Sequence, residues 1–143
     1  MEYNKLLTEL KTPSIIYEIY KEWLSELDFI DDEIIIFEEL INIHFIELCN
    51  FQLYNESKEL IQQFKLNKLK LDHLKSEIYT HQKYLATLIE SNNLNGEEVY
   101  YTKHRVISEK KLLYLQNVKE IKSSTYNLIK EILKRNKQKK IDK

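Results

Sequence analysis

A chain of 143 residues with one Gly and one Pro has almost nowhere to place a hairpin turn or a phosphate-cradling loop, because both need backbone angles that other residues resist. Charged residues at 31% and hydrophobic residues at 43% fit an amphipathic helical protein. A formal net charge of -1 argues against a general polyanion binder, and the single cysteine, Cys49, cannot form an internal disulfide.

In chain order, Leu6, Leu7 and Leu10 suggest a short helical lead-in. Thr12-Pro13-Ser14 then reads as a helix start, with Thr12 as a cap and Pro13 at the first helical position, where a missing N–H costs nothing. A helix over about 14–52 follows from Tyr20, Trp23, Leu27, Ile30, Ile34, Phe37, Ile41, His44, Leu48 and Phe51. These recur in alternating steps of three and four, the seam of a helix packed lengthwise on others. Leu24, Ile35 and Phe45 are expected to widen that apolar face.

The seam loses phase after Phe51, and a new one starts at Leu60. It runs through Phe64, Asn67, Leu71, Leu74, Ile78, His81, Leu85 and Leu88, predicting a helix over 57–91. The break implies a reversal near Leu53–Ser57 with Asn55 as cap; with no Gly or Pro there, a continuous kinked helix is the alternative. Ser91-Asn92-Asn93-Leu94-Asn95-Gly96 reads as a loop, since Asn-Gly favours left-handed backbone angles and ends helices. Glu97 and Glu98 suit the positive end of the next helix. Its seam is Tyr100, His104, Ile107, Lys111, Tyr114, Val118, Ile121, Thr125, Leu128 and Ile132, predicting a helix over 97–133. The pattern then lapses into Lys134-Arg135-Asn136-Lys137-Gln138-Lys139-Lys140, expected to be a frayed basic tail over 134–143. The fold expected is all-α: one domain over 1–133, an antiparallel three-helix bundle with coiled-coil-like seams.

Charge is divided along the chain. Residues 18–47 carry ten acids and one base, Lys21, whereas residues 97–143 carry thirteen bases and six acids. Neighbouring helices of opposite sign attract, and this helps choose which face meets which. An external basic partner for the acidic face is the other reading.

Three of the four histidines lie on seams. A hairpin through 92–96 brings His81 within about one turn of His104, and a reversal near 55 brings His44 near Asn67, giving two polar layers in an apolar interior. Buried imidazoles need hydrogen-bond partners, and such layers fix register. A metal site is the alternative: His73, Glu77 and His81 recur every four residues, and Glu77 and His81 joined by His104 could ligate Zn or Fe. Against it, no Glu-x-x-His pair occurs and no acid lies on a seam. Cys49 reads as a small buried hydrophobe rather than a nucleophile. No Gly-x-Ser-x-Gly, Walker or dinucleotide fingerprint is present. No catalytic, cofactor-binding or metal residue is therefore assigned, no cofactor is expected, and the chain reads as a non-enzyme.

Trp23-Leu24-Ser25-Glu26-Leu27-Asp28-Phe29, and the stretch from Phe64 through Asp72-His73-Leu74-Lys75-Ser76-Glu77-Ile78, resemble segments of small uncharacterised bacterial helical-bundle proteins. Those proteins share a Trp-x-x-Glu-Leu start and a later Asp-x-Leu-Lys/His segment. The resemblance implies a helical-bundle fold and no site residues.

The functional expectation is a structural or protein-interaction bundle. Its outer faces, including off-seam Tyr79, Tyr84, Tyr101 and Tyr126, are candidates for a protein partner or self-association. The lysine-rich tail lacks the aromatic interleaving of a base-reading surface, which argues against nucleic acid, and nothing suggests a small-molecule substrate. Ile34-Ile35-Ile36-Phe37 is the longest apolar run, far short of the roughly 20 residues a membrane span needs. Met1-Glu2-Tyr3-Asn4-Lys5 lacks the basic stretch and apolar core of a signal peptide, so a cytoplasmic setting is expected.

Overall fold

A computed structural model describes residues 12–91 and 97–141, with the side chains of 97 and 98 excepted. Among the described residues the fold is all-α, without strands. Helix α1 spans Pro13–Ile43, α2 Phe45–Asn50, α3 Tyr54–Ser91 and α4 Glu97–Ile141. The expected lead-in at Leu6–Leu10 and loop at 92–96 lie outside the described residues. No helix among them is long and apolar enough to cross a membrane.

Helix α1 starts as its sequence dictates. Pro13 is the first helical residue, and Thr12 Oγ1 accepts a 3.4 Å hydrogen bond from the Ile15 N–H, meeting one of the donors that a helix start leaves open. The seam residues are the buried ones. On α1 they are Tyr20, Leu27, Ile30, Ile34, Phe37 and Ile41, with Trp23 half-exposed and Leu24 buried beside the seam; on α3 all nine from Leu60 to Leu88; on α4 Tyr100 through Ile132, with Lys111 half-exposed. Ile35 departs from expectation. At 48% exposure it does not widen the core face, because the seam alone fills the contact and Ile35 lies about 100° around the helix from Ile34.

The first chain break is sharper and earlier than the sequence suggests. His44 interrupts the helix for one residue, and α2 then runs to Asn50. The Leu53 N–H donates to the Leu48 carbonyl (2.8 Å) and the Gln52 N–H to the Cys49 carbonyl (3.1 Å). These two bonds make a Schellman motif, with Gln52 at φ 63° in the left-handed position usually taken by glycine. Asn55 is not the cap; it lies inside α3 and exposed, while Ser57 is buried and its hydroxyl donates back to the Leu53 carbonyl.

The second correction concerns residues 134–141, which are helical rather than frayed. Polar side chains hold them, so an apolar pattern could not reveal them. The Arg135 guanidinium lies 5.2 Å from the Phe51 ring centroid and donates to the Phe51 carbonyl, an otherwise open helix-end acceptor. Lys139 lies 4.9 Å over the same ring, and Asn136 donates to Glu47 at 3.0 Å.

Packing divides the described residues into two compact units. The first comprises 12–29 with Leu71–Leu113, and the second Ile30–Lys70 with 114–141. In the first unit, Tyr17 and Asp28 of α1 meet Gln82 and Lys75 of α3 in descending order, so these segments run oppositely. Tyr20 and Glu26 meet His104 and Lys111 of α4 in ascending order, so those run the same way. In the second unit, Glu33, Phe37 and Glu47 meet Lys122, Tyr126 and Asn136 in ascending order. Asp31 pairs with Lys68 at 3.1 Å. Four acids of α1 are thus matched to lysines, Asp28 and Asp31 to α3 and Glu26 and Glu33 to α4, and the α4 pairs follow the division of charge along the chain.

Candidate functional site

The first unit contains a cluster of aromatic side chains, buried at Tyr20, His81, Tyr100 and His104 and more open at its margin. Helix α1 supplies Tyr20 and Trp23, α3 supplies His81 and Tyr84, and α4 supplies Tyr100, His104 and Lys111. Tyr20 lies at its centre, fully buried, with ring centroids 5.8 Å from His81 and 5.5 Å from His104. Its hydroxyl and His104 Nδ1 share a 3.0 Å hydrogen bond. His81 Nε2 is 3.0 Å from the Tyr100 carbonyl. A carbonyl only accepts, so His81 carries its proton on Nε2. The rings are also stacked: Trp23 covers His104 at 5.6 Å and 16°, and Tyr84 covers His81 at 5.9 Å and 22°. Lys111 sits 4.7 Å above Trp23 and pairs with Glu26 at 2.9 Å, so its charge stays at the margin of the cluster while its stem covers the indole.

The electrostatics favour neutral forms. Burial pushes the Tyr20 phenol well above its ordinary 10, so it remains protonated at neutral pH. Burial also holds His81 below its ordinary 6.5; the Tyr100 carbonyl opposes this and Lys103 adds to it. The result is a neutral imidazole beside a neutral phenol, His81 at 5% and His104 at 3% exposure. A general base needs hydrogen-bond reach to a substrate proton. These groups reach instead for one another and for the backbone.

His81 and His104 therefore lie in one layer, joined through Tyr20, a seam residue whose hydroxyl could have announced the polar layer. The second expected pair does not form. Asn67 is buried, but it donates to Asn117 Oδ1 at 2.9 Å and accepts from the Tyr114 hydroxyl at 3.2 Å. Lys68 pairs with Asp31, thirteen residues before His44, so His44 lies roughly 20 Å further along. His44 is half-exposed and bonds Glu47 at 2.9 Å. The hydrogen bonds from Asn136 and His44 hold the Glu47 carboxyl below its usual range. The early turn at Gln52 shifts the pairing of α1 with α3, and Asn117, off the seam, supplied the missing partner.

The His73–Glu77–His81 stripe is likewise not turned to one point. His73 is exposed, with Nδ1 3.3 Å from Glu77 Oε1, and Lys110 donates to the same oxygen at 2.6 Å. Burial opposes ionisation of Glu77, but the hydrogen bond and charge of Lys110, with Lys103 and His73, hold its carboxyl below the usual range. Among the described residues, no group of three or more His, Cys, Asp or Glu side chains is arranged to hold a metal ion. Cys49 is half-buried rather than buried. One surface groove is lined by Leu53, Leu60, Leu128 and the acids Glu56, Glu59 and Glu131, and another by Asp72, Lys75 and Tyr79. Neither is lined by His81 or His104.

No family model, curated protein or solved structure matches the chain. The reading of function consequently rests on the residues themselves.

Proposed function

We propose that this chain is a non-enzymatic interaction protein of the cytoplasm. In this reading α1, α3 and α4 form an antiparallel three-helix bundle. The Tyr20–His81–His104 and Asn67–Tyr114–Asn117 layers fix its register, and the outer faces meet a protein partner or a second copy. The observation that carries it is the engagement of the histidines: His81 bonds a backbone carbonyl and His104 the Tyr20 hydroxyl, both under stacked rings. Satisfied polar groups inside an apolar interior restrict which helix alignments avoid an orphaned donor or acceptor.

Elemental analysis of untagged protein, with melting curves of His81→Asn and His104→Gln, tests this reading. Packing roles predict no stoichiometric metal, no response to chelator, and losses of about 1–2 kcal/mol, because the amides retain hydrogen-bonding capacity. Stoichiometric Zn or Fe that disappears in His104→Gln would replace the proposal with a metal-binding bundle, since a ligand held only by the folded state raises its stability.

A further inference from the structure

The second unit carries an apolar strip on its surface that its core does not use. Ile36 and Ile43 of α1 are 62% and 74% exposed, and Tyr126 and Leu133 of α4 are 49% and 64% exposed. Leu40 and Ile129 are half-buried. The two helices run side by side here, with Glu33 against Lys122, the Phe37 ring against Tyr126, and Asn136 donating to Glu47 at an offset of 89 residues. That offset places Ile36 level with Tyr126 and Ile43 level with Leu133, each within one residue. Scattered apolar residues are ordinary on a surface, but a contiguous strip is not.

Charge borders the strip with opposite signs. Seven residues apart, Ile36 and Ile43 share one line of α1, and exposed Asp32 and Glu39 flank it on the side away from α4. Exposed Lys119, Lys130 and Lys137 flank Tyr126 and Leu133 on the side away from α1. Across the strip the order is therefore acid, isoleucine, aromatic or leucine, lysine. Such an order is its own complement under one rotation. A two-fold axis parallel to the helices lays α1 over the α4 of a second copy. A two-fold axis across them lays α1 over α1 and brings Asp32 and Glu39 against their own copies, where like charges repel.

We propose that this strip is a two-fold interface with a second copy of the chain, the axis running along the helices. The proposal rests on reading the chain as an interaction protein and names the partner. Glu39 then faces the partner's Lys130, Asp32 faces the partner's Lys119, and Ile36 and Ile43 pack on the partner's Tyr126 and Leu133. Each contact occurs twice, as an isologous interface requires. Apolar burial drives the association, and the flanking charges choose its orientation.

Sedimentation equilibrium of the full chain tests this. The expected mass is twice 17.4 kDa. Ile43→Asp should give a monomer with unchanged helical circular dichroism, because the residue lies outside the core. Glu39→Lys and Lys130→Glu should each weaken dimerisation roughly tenfold or more, and the double variant should recover most of that loss. A wild-type chain that stays monomeric, a dimer indifferent to Ile43→Asp, or a double variant no better than the single ones would overturn the interface. Those failures leave the interaction reading intact. Stoichiometric metal would instead remove the reading beneath it.

Discussion

At the scale of single residues, the consequential position is His81. Burial keeps its imidazole neutral, against the opposing pull of the Tyr100 carbonyl that its Nε2 bonds. With the folded pKa held below the unfolded value of 6.5, the unfolded chain binds more protons between the two. The stability contributed is therefore complete above about pH 6.5 and is lost as pH falls below it, through the folded pKa. Melting temperature should fall on acidification from neutral pH, and His81→Gln should flatten that fall. Glu47 and Glu77, whose folded pKa values are also lowered, lose their contributions further down, as pH drops through and below their ordinary 4.5. A melting temperature in His81→Gln that tracks the parent between neutral pH and about pH 5 would show that the imidazole is not the titrating group. Tyr20 offers a second test at the same scale. Tyr20→Phe keeps the ring but removes the hydroxyl that bonds His104, and calorimetry should register a loss of about 1–3 kcal/mol.

Secondary-structure elements end for reasons that differ in how plainly a sequence states them. Thr12-Pro13 announces a helix start because capping is local chemistry. The Gln52 turn announces nothing, since glutamine at a left-handed C-terminal position runs against its own preference and is held by the Schellman bonds around it. Gln52→Gly should therefore raise the stability by about 0.5–1 kcal/mol, by relieving the Cβ of an unfavourable backbone angle. Gln52→Val should lower it, because a β-branched side chain resists positive φ still more. Denaturant midpoints for the pair decide the matter, and a Gly variant no more stable than the parent would count against a left-handed residue at 52. The end of α4 shows the converse. Lys134 to Lys140 lack an apolar pattern, yet Arg135, Asn136 and Lys139 hold the helix through Phe51 and Glu47.

For the molecule as a whole, the three seams carry the fold and the charges guide it. Ion pairs such as Lys110–Glu77 and Lys68–Asp31 are partly exposed, so each contributes about 0–1 kcal/mol. A buried isoleucine contributes about 1.5–3 kcal/mol by leaving water. Ile34, 5% exposed in the second unit, marks the difference. Ile34→Asp removes that burial and adds an unpaired buried carboxylate costing several kcal/mol. Domain stability is typically only about 5–15 kcal/mol. Loss of the helical circular dichroism, or a collapse of the melting temperature, is the expected outcome. Retention of both would mean that the seam is not the core.

By itself the sequence determined the helical class, the buried face of each long helix and the start of α1. Each follows from periodicity or from capping within a few residues, and these are physical preferences that act along the chain. The His81–His104 layer was legible for a related reason, since both histidines fall on seams and few residues separate the helices that carry them. Tertiary structure alone decided that Tyr20 links those histidines, that Asn67 bonds Asn117 and Tyr114 rather than approaching His44, and that α4 continues through its lysines. Those outcomes depend on which residue stands level with which across helices. That alignment is set by contacts between residues far apart in the chain, and these leave no periodic trace in the sequence.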